Sequence, residues 1–473
     1  MVFASLIFTF LFLPAVLVLY FIAKDEYKNC ILLAASLLFY AYGEPKYILV
    51  LIASIVLNHA AAIWIGRERE SGSGRAKGLL ILTAVLNIGL LFVCKYLAFS
   101  VTILNDLLKT DITAPAVPLP IGISFYTFQA LSYVIDVYRG TVKAEKNLLN
   151  TALYMAFFPQ LIAGPIVRYA SVGEQLSRRK HTLEDFAEGG KRFLLGFSKK
   201  VILANNLAVI AAEIFDMIPT ETDPLLLWLG SICYTLQIFY DFSAYSDMAL
   251  GLGRIFGFRF EENFNYPYIA RTVTDFWRRW HISLSQWFRD YVYIPLGGSK
   301  VSPGRQVFNL FAVWLLTGIW HGANYTFLFW GLGYFVLLVL EKFLVRPAER
   351  KGKLIRYAWQ AVTLLSVNFL WVIFNSGTLR RGLRYCLSML GFYGQRFAFD
   401  PVLLRYLREY GVFILLGILF SAPVMRNLKE KISGGRLAPV LNIAAALGCG
   451  LVFLWAVSFL ILGAHNPFIY FNF

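Results

Sequence analysis

The sequence predicts an all-α, polytopic membrane protein with about ten to twelve transmembrane helices and additional re-entrant or interfacial helices. Three observations support this. Hydrophobic residues make up 58% of the 473 residues and charged residues only 15%, against about 25% charged in soluble domains. Apolar runs near the ~20 residues needed to cross a bilayer recur along the chain. The basic residues between them collect in a few short loops, as they do on the cytoplasmic side of membrane proteins.

Taken in order, apolar segments lie near 1–23, 29–43, 47–66, 78–104, 118–137, 193–214, 225–250, 307–320, 325–345, 357–375, 411–425 and 439–463. The first lacks a basic leader and a small-residue cleavage site, so it reads as a retained span. Those at 29–43, 307–320 and 411–425 are short, and a further apolar piece at 149–164 is too short to span comfortably. Basic loops at 66–77, 168–192, 278–291, 345–356 and 426–436 fit the cytoplasmic side, and the acidic "DMIPTETDP" (216–224) fits outside. Placing both termini outside satisfies nearly all of them. The exception is the basic, amphipathic stretch 378–397, which either lies in the interface plane or shifts the scheme by one span. No soluble domain, linker or repeat is visible, so residues 1–473 read as one membrane-embedded domain.

The formal charge of +16 needs no nucleic acid to explain it, because cytoplasmic loops account for it and no binding motif accompanies it. A basic cytoplasmic face also attracts anionic partners such as a CoA phosphate or an acidic carrier protein. Five scattered cysteines, without a CxxC pair, give neither a disulfide framework nor a metal site. A GxSxG elbow, a Walker A loop, an HExxH motif and a His-x4-Asp box do not occur. The glycines at 251, 253 and 257 have the wrong spacing for a dinucleotide fingerprint and suit close helix packing.

Two histidines stand out. His321, in "TGIWHGANYTF", lies at a break between two apolar runs. Broken helices at membrane depth survive only against protein or a water-filled cavity, and an ionisable residue there is a functional candidate. A packing histidine bonded to a carbonyl remains the alternative. His281 lies in "DFWRRWHISLSQWFRDYVYIPLGG" (275–298), among tryptophans, tyrosines and arginines. Alone, this composition reads as an interfacial anchor with rings at headgroup level. The functional alternative is a cavity mouth where arginines meet phosphates. Upstream, Asp241 and Asp247 interrupt an apolar helix. Buried carboxylates need partners, and arginines or tyrosine hydroxyls are expected. His181 and His465 read as solvated or interfacial, and His59 as a packing residue.

At these residues the chain resembles the membrane-bound O-acyltransferase family, in the branch containing the alginate O-acetyltransferase membrane subunit. The matching stretches are "PIGISFYTFQALSYVIDVYRG" (120–140), "FFPQLIAGPIVRY" (157–169), "YDFSAYSDMALGLGRIFGFRFEENFNYPY" (240–268), residues 275–298, "WHGANYTFLFWG" (320–331) and "NPFIYFNF" (466–473). The resemblance implies a ring of helices around a central tunnel, with funnels on both faces meeting near a catalytic histidine that corresponds to His321. It implies a second functional position at His281, where many lipid- or protein-modifying members have asparagine or aspartate. That difference favours acetylation of an exported polysaccharide such as alginate.

The implied reaction moves an acetyl group from a cytosolic thioester, acetyl-CoA or an acyl carrier, to an extracytoplasmic acceptor. Neutral His321 would act as general base, and a transient acyl-histidine is less favoured. His281 would line the donor side, orient the acyl group or stabilise the oxyanion. Trp320, Asn324, Arg278, Tyr240 and Asp241 are supporting candidates. No cofactor or metal is expected to be bound. An extracytoplasmic, serine-dependent esterase-like partner is expected at the outer face, with membrane lipids around the protein. The location implied is the bacterial inner membrane. Acyl transfer to teichoic acid, D-alanyl transfer in particular, is the alternative within enzymes. A transporter or flippase is the alternative outside them, weakened by the lack of inverted repeats.

Overall fold

The computed structural model describes residues 2–115, 117–347, 352–432 and 438–463. His465 and the stretch 466–473 lie outside the described residues. Among those described, the regular elements are all helices. The main ones run α1 (Phe8–Ile22), α2 (Asp25–Gly43), α3 (Ile48–Glu70), α4 (Arg75–Lys95), α5 (Leu97–Leu108), α6 (Ile123–Arg139), α7 (Leu148–Ala156), α8 (Leu183–Asp216) and α9 (Pro224–Ile255). They continue with α10 (Val273–Trp277), α11 (Ile282–Phe288), α12 (Pro303–His321), α13 (Tyr325–Val345), α14 (Lys353–Asn375), α15 (Leu379–Met389), α16 (Pro401–Phe420) and α17 (Ala438–Ile461).

Seven of these are long and apolar enough to cross a membrane: α3, α4, α8, α9, α13, α14 and α17. The other apolar segments seen in the sequence are helical but fall short in length or apolarity. The run 78–104 is two helices, because the chain breaks at Tyr96 between α4 and α5. The segment near 118–137 begins its helix only at Ile123, after Gly122 in a left-handed conformation (φ 78°). The stretch 378–397 carries only the eleven-residue α15, too short to span. Gly382, Tyr385, Ser388 and Met389 line its buried face. The Tyr385 hydroxyl donates to the Leu227 carbonyl at 2.9 Å, and Arg381 donates to the Phe215 carbonyl.

The chain forms two compact units, one of residues 1–193 with 246–261, the other of 194–245 with 262–473. In the first, Phe3, Phe8, Phe12, Phe39 and Phe158 form an aromatic cluster with centroids 4.8–6.4 Å apart. Asn58 on α3 and Asn87 on α4 exchange amide hydrogen bonds of 3.1 and 2.9 Å. His59 bonds Thr151 across helices at 2.9 Å, and His181, half-buried, meets the Tyr20 hydroxyl at 3.2 Å. A Cβ at Gly251 would stand 2.6 Å from the Gly189 carbonyl oxygen, so this glycine does serve close packing. Asp247, half-buried, pairs with Arg192 at 3.0 Å, the arginine partner expected of it.

The second unit contains both singled-out histidines. Its axis is the antiparallel pair α12–α13, whose backbones touch through glycines. A Cβ at Gly318 would lie 2.6 Å from the Phe327 carbonyl oxygen, and one at Gly331 2.5 Å from that of Trp314. Gly331→Ala should therefore lower thermal stability in detergent by about 1–3 kcal/mol, the range for overpacking a closed contact. An unchanged melting temperature would show that the helices can separate at this crossing.

Candidate active site

His321 is the last residue of α12. The helix stops because Gly322 turns to extended backbone, and a Cβ there would overlap the Phe327 ring. Asn324 then starts α13, its side-chain oxygen accepting from Thr326 N at 3.1 Å while its amide donates to the Gly377 carbonyl at 2.7 Å. This brief interruption aims His321 sideways into aromatic rings. Trp330 lies 4.7 Å away at 77°, Trp320 5.0 Å at 81° and Phe374 5.4 Å at 78°. Every ring stands nearly edge-on to the imidazole, which is 3% exposed.

His281 reaches the same neighbourhood from a different element. It precedes α11 in a left-handed conformation (φ 43°, ψ 56°) that costs a non-glycine residue about 1–2 kcal/mol. Its Nδ1 lies 3.2 Å from Asn263 Oδ1. The same oxygen accepts from the Ser283 backbone N–H at 3.1 Å and the Ser283 hydroxyl at 2.9 Å. The Asn263 carbonyl accepts from Ile282 N at 3.0 Å. Phe242 of α9 packs edge-on at 4.6 Å and 88°. His281 is completely buried and lies outside the seven apolar helices. Burial pushes its pKa down to about 3, so the imidazole is neutral at physiological pH. Trp320 joins the two histidines, its ring 6.1 Å from His281 and 5.0 Å from His321.

The segment 275–298 is not a headgroup anchor. Trp277, Trp280 and Trp287 are only 7, 1 and 6% exposed. Trp277 packs on Trp314 at 4.7 Å and Tyr334 at 5.0 Å, and Trp280 on Trp371 at 5.0 Å and Phe264 at 5.2 Å. The tryptophans form an internal wall, and the arginines reach outwards. What holds α10 in place is Glu341, buried on α13. Its carboxylate accepts from Val273 N at 2.6 Å, Thr274 N at 3.0 Å and Trp359 Nε1 at 3.1 Å.

Of the supporting candidates, Trp320 lies between the histidines and Asn324 shapes the helix break beside one of them. Arg278 is exposed at the end of α10. Tyr240 and Asp241 are tied into the helix scaffold. The Tyr240 hydroxyl donates to the Gly417 carbonyl at 2.5 Å, and Asp241 pairs with Lys200 at 2.5 Å. This lysine, a partner not foreseen from the sequence, is delivered by a π-helical stretch of α8 (Lys199–Ala204). Sequence reasoning missed Asn263, Phe242, Trp330, Phe374 and Glu341 as neighbours of the site. Only Asn263 left a trace, as an amide among the aromatics of "ENFNYPY".

The sequence model of MBOAT, the membrane-bound O-acyltransferase family, matches residues 38–378. The chain belongs to this family. It is an acyltransferase of the membrane-bound type. It is 44% identical over 401 residues to a probable alginate O-acetylase of Pseudomonas aeruginosa, covering 83% of this chain and 75% of that protein. A peptidoglycan O-acetyltransferase of Helicobacter pylori is 34% identical over 429 residues, covering 83% and 80%. A teichoic acid D-alanyltransferase of Bacillus subtilis is 30% identical over 268 residues, covering 54% and 67%.

Hydrogen bonds to a charged group contribute about 1.5–3 kcal/mol each. Glu341→Ala should thus destabilise the protein by about 2 kcal/mol or more and loosen α10, read as a lower melting temperature and faster amide exchange at 273–277. Glu341→Gln, which keeps an acceptor, should fall between. Wild-type melting in Glu341→Ala would contradict the anchoring role.

Proposed function

We propose that this acyltransferase is the membrane subunit of a polysaccharide O-acetylation system. In this reading it moves acetyl from a cytosolic thioester through the membrane for O-acetylation of an exported polymer such as alginate. The observation that carries the reading is the pair of buried imidazoles that share Trp320, one of them at a helix break. The relatives named as O-acetylases, matched over 83% of the chain, support acetyl as the group transferred.

The reaction is an acyl transfer. An acceptor hydroxyl oxygen attacks the thioester carbonyl carbon, the C–S bond breaks, and the thiol leaves. His321 takes the hydroxyl proton and returns it to the departing sulfur, a general acid–base role worth about 10²–10⁴ in rate. His281 lines the donor side and orients the acyl group. The aromatic wall keeps water from the thioester, so that transfer outcompetes hydrolysis. With His321 3% exposed, one of its three rings must swing aside to admit substrates. A tunnel between cytosolic and outer funnels, reached this way, lets the acetyl group cross without the bulk of its donor. Additional apolar helices beyond the seven complete the ring around it.

Acetyl-CoA or an acyl carrier is the donor, and the basic loops favour either anion. The acceptor is a separate, extracytoplasmic, serine-dependent protein that passes acetyl on to the polymer. The inner membrane of a bacterium is the location, with both termini outside. D-alanyl transfer to teichoic acid is the second reading, supported by a similarity that spans only 54% of the chain.

His321→Ala should reduce polymer acetylation by at least about 10²-fold while expression and membrane insertion stay normal. Retained acetylation in that variant would overturn the catalytic assignment. With purified protein, labelled acetyl-CoA should be consumed in the presence of the acceptor protein. Labelled D-alanyl carrier consumed in its place would select the second reading.

A further inference from the structure

The amide of Asn263 can be oriented without ambiguity. The Ser283 backbone N–H, 3.1 Å from it, can only donate, so the atom facing it must be the amide oxygen. That oxygen is also the atom 3.2 Å from His281 Nδ1. An unprotonated Nδ1 would set two lone pairs against each other at that distance. Nδ1 therefore carries a hydrogen. His281 is completely buried, and burial disfavours a second proton on the ring. From these contacts we infer that Asn263 is a positioning residue that holds His281 as the Nδ1–H tautomer, making Nε2 a hydrogen-bond acceptor.

The consequence bears on the division of labour at the site. A neutral imidazole with an accepting Nε2 cannot donate from that nitrogen to a developing oxyanion. It can receive a hydrogen bond from a hydroxyl, a thiol or an amide N–H of the donor. His281 thus takes the role of an acceptor that aligns a hydrogen-bearing group, and oxyanion stabilisation falls to other donors. The local backbone is built for this. Asn263 binds the start of α11 through both its carbonyl and its side-chain oxygen, so the ring and the oxygen it meets are fixed by the same short turn. Among the described residues the buried Asn263 Nδ2 meets no hydrogen-bond acceptor, an arrangement that costs about 1–3 kcal/mol. Retaining an amide at that cost is consistent with its oxygen being the part that matters.

The inference about catalysis rests on the role proposed for His281; the tautomer itself does not. Both are tested with ¹⁵N-histidine-labelled full-length protein in lipid nanodiscs, the His281 signals being assigned by their loss in His281→Gln. Wild type should show a protonated Nδ1 and an unprotonated Nε2. Asn263→Asp, which keeps an accepting oxygen, should leave Nδ1 protonated. Asn263→Leu should move the proton to Nε2 or mix the tautomers, and acetyl transfer should fall at least about tenfold, since a wrong tautomer alone can cost orders of magnitude. A wild-type ring protonated at Nε2 and bare at Nδ1 overturns the proposal whether or not Asn263→Leu folds. A correct wild-type tautomer together with full activity in His281→Gln would leave the tautomer standing and remove the donor-side role.

Discussion

The contact of α12 with α13 through Gly318 and Gly331 is the constraint on which the site depends. Backbone carbonyls stand where side chains would otherwise be, so the two helices meet along a narrow seam with little freedom to slide. That seam fixes the place where α12 must stop, and the Phe327 ring leaves no room for a Cβ at position 322. The imidazole of His321 is consequently held at the helix end rather than along its flank. Its three aromatic neighbours come from the same helix pair and from α14. Specificity of position here comes from close packing, with hydrogen bonds serving mainly to begin and end helices.

The second histidine is placed by the opposite device, a locally strained turn satisfied by polar contacts. A left-handed residue at position 281 is tolerated because Asn263 binds the backbone N–H groups of the two residues that follow it. Asparagine, aspartate and histidine visit this conformation more readily than other non-glycine residues. That offers a physical reason why the family resemblance implies these three residue types at this position. Two histidines with different supports meet at one indole, that of Trp320.

Much of this was legible in the sequence. The apolar runs gave the helices, and the break at "WHGAN" gave the end of α12, because Gly-Ala-Asn cannot continue an apolar helix cleanly. What could not be read was the partner of each polar group. Lys200 and Asp241 are 41 positions apart and share no periodicity, so their pairing depends on how α8 and α9 pack. Trp277 and Trp280 looked interfacial because aromatic-plus-arginine composition is the same in a lipid anchor and in a folded wall. Only tertiary contact separates them. Asn263 was visible as a polar residue among aromatics, but its acceptor role emerges only once Ser283 and His281 are brought to it. Apolarity marks burial in lipid or in protein alike, so the runs alone do not say which helices cross: seven of the described helices are long and apolar enough to do so, and α6, nearly all of whose residues are buried, is not among them.

The central claim is that an acyl thioester and its acceptor meet at His321. The most direct measurement is a cryo-electron-microscopy structure of the protein in nanodiscs with a non-transferable thioether analogue of acetyl-CoA. The analogue's sulfur and acyl carbon should lie within hydrogen-bond reach of His321, with Phe374, Trp320 or Trp330 turned away from the imidazole. An analogue bound elsewhere, with His321 still enclosed by all three rings, would contradict it.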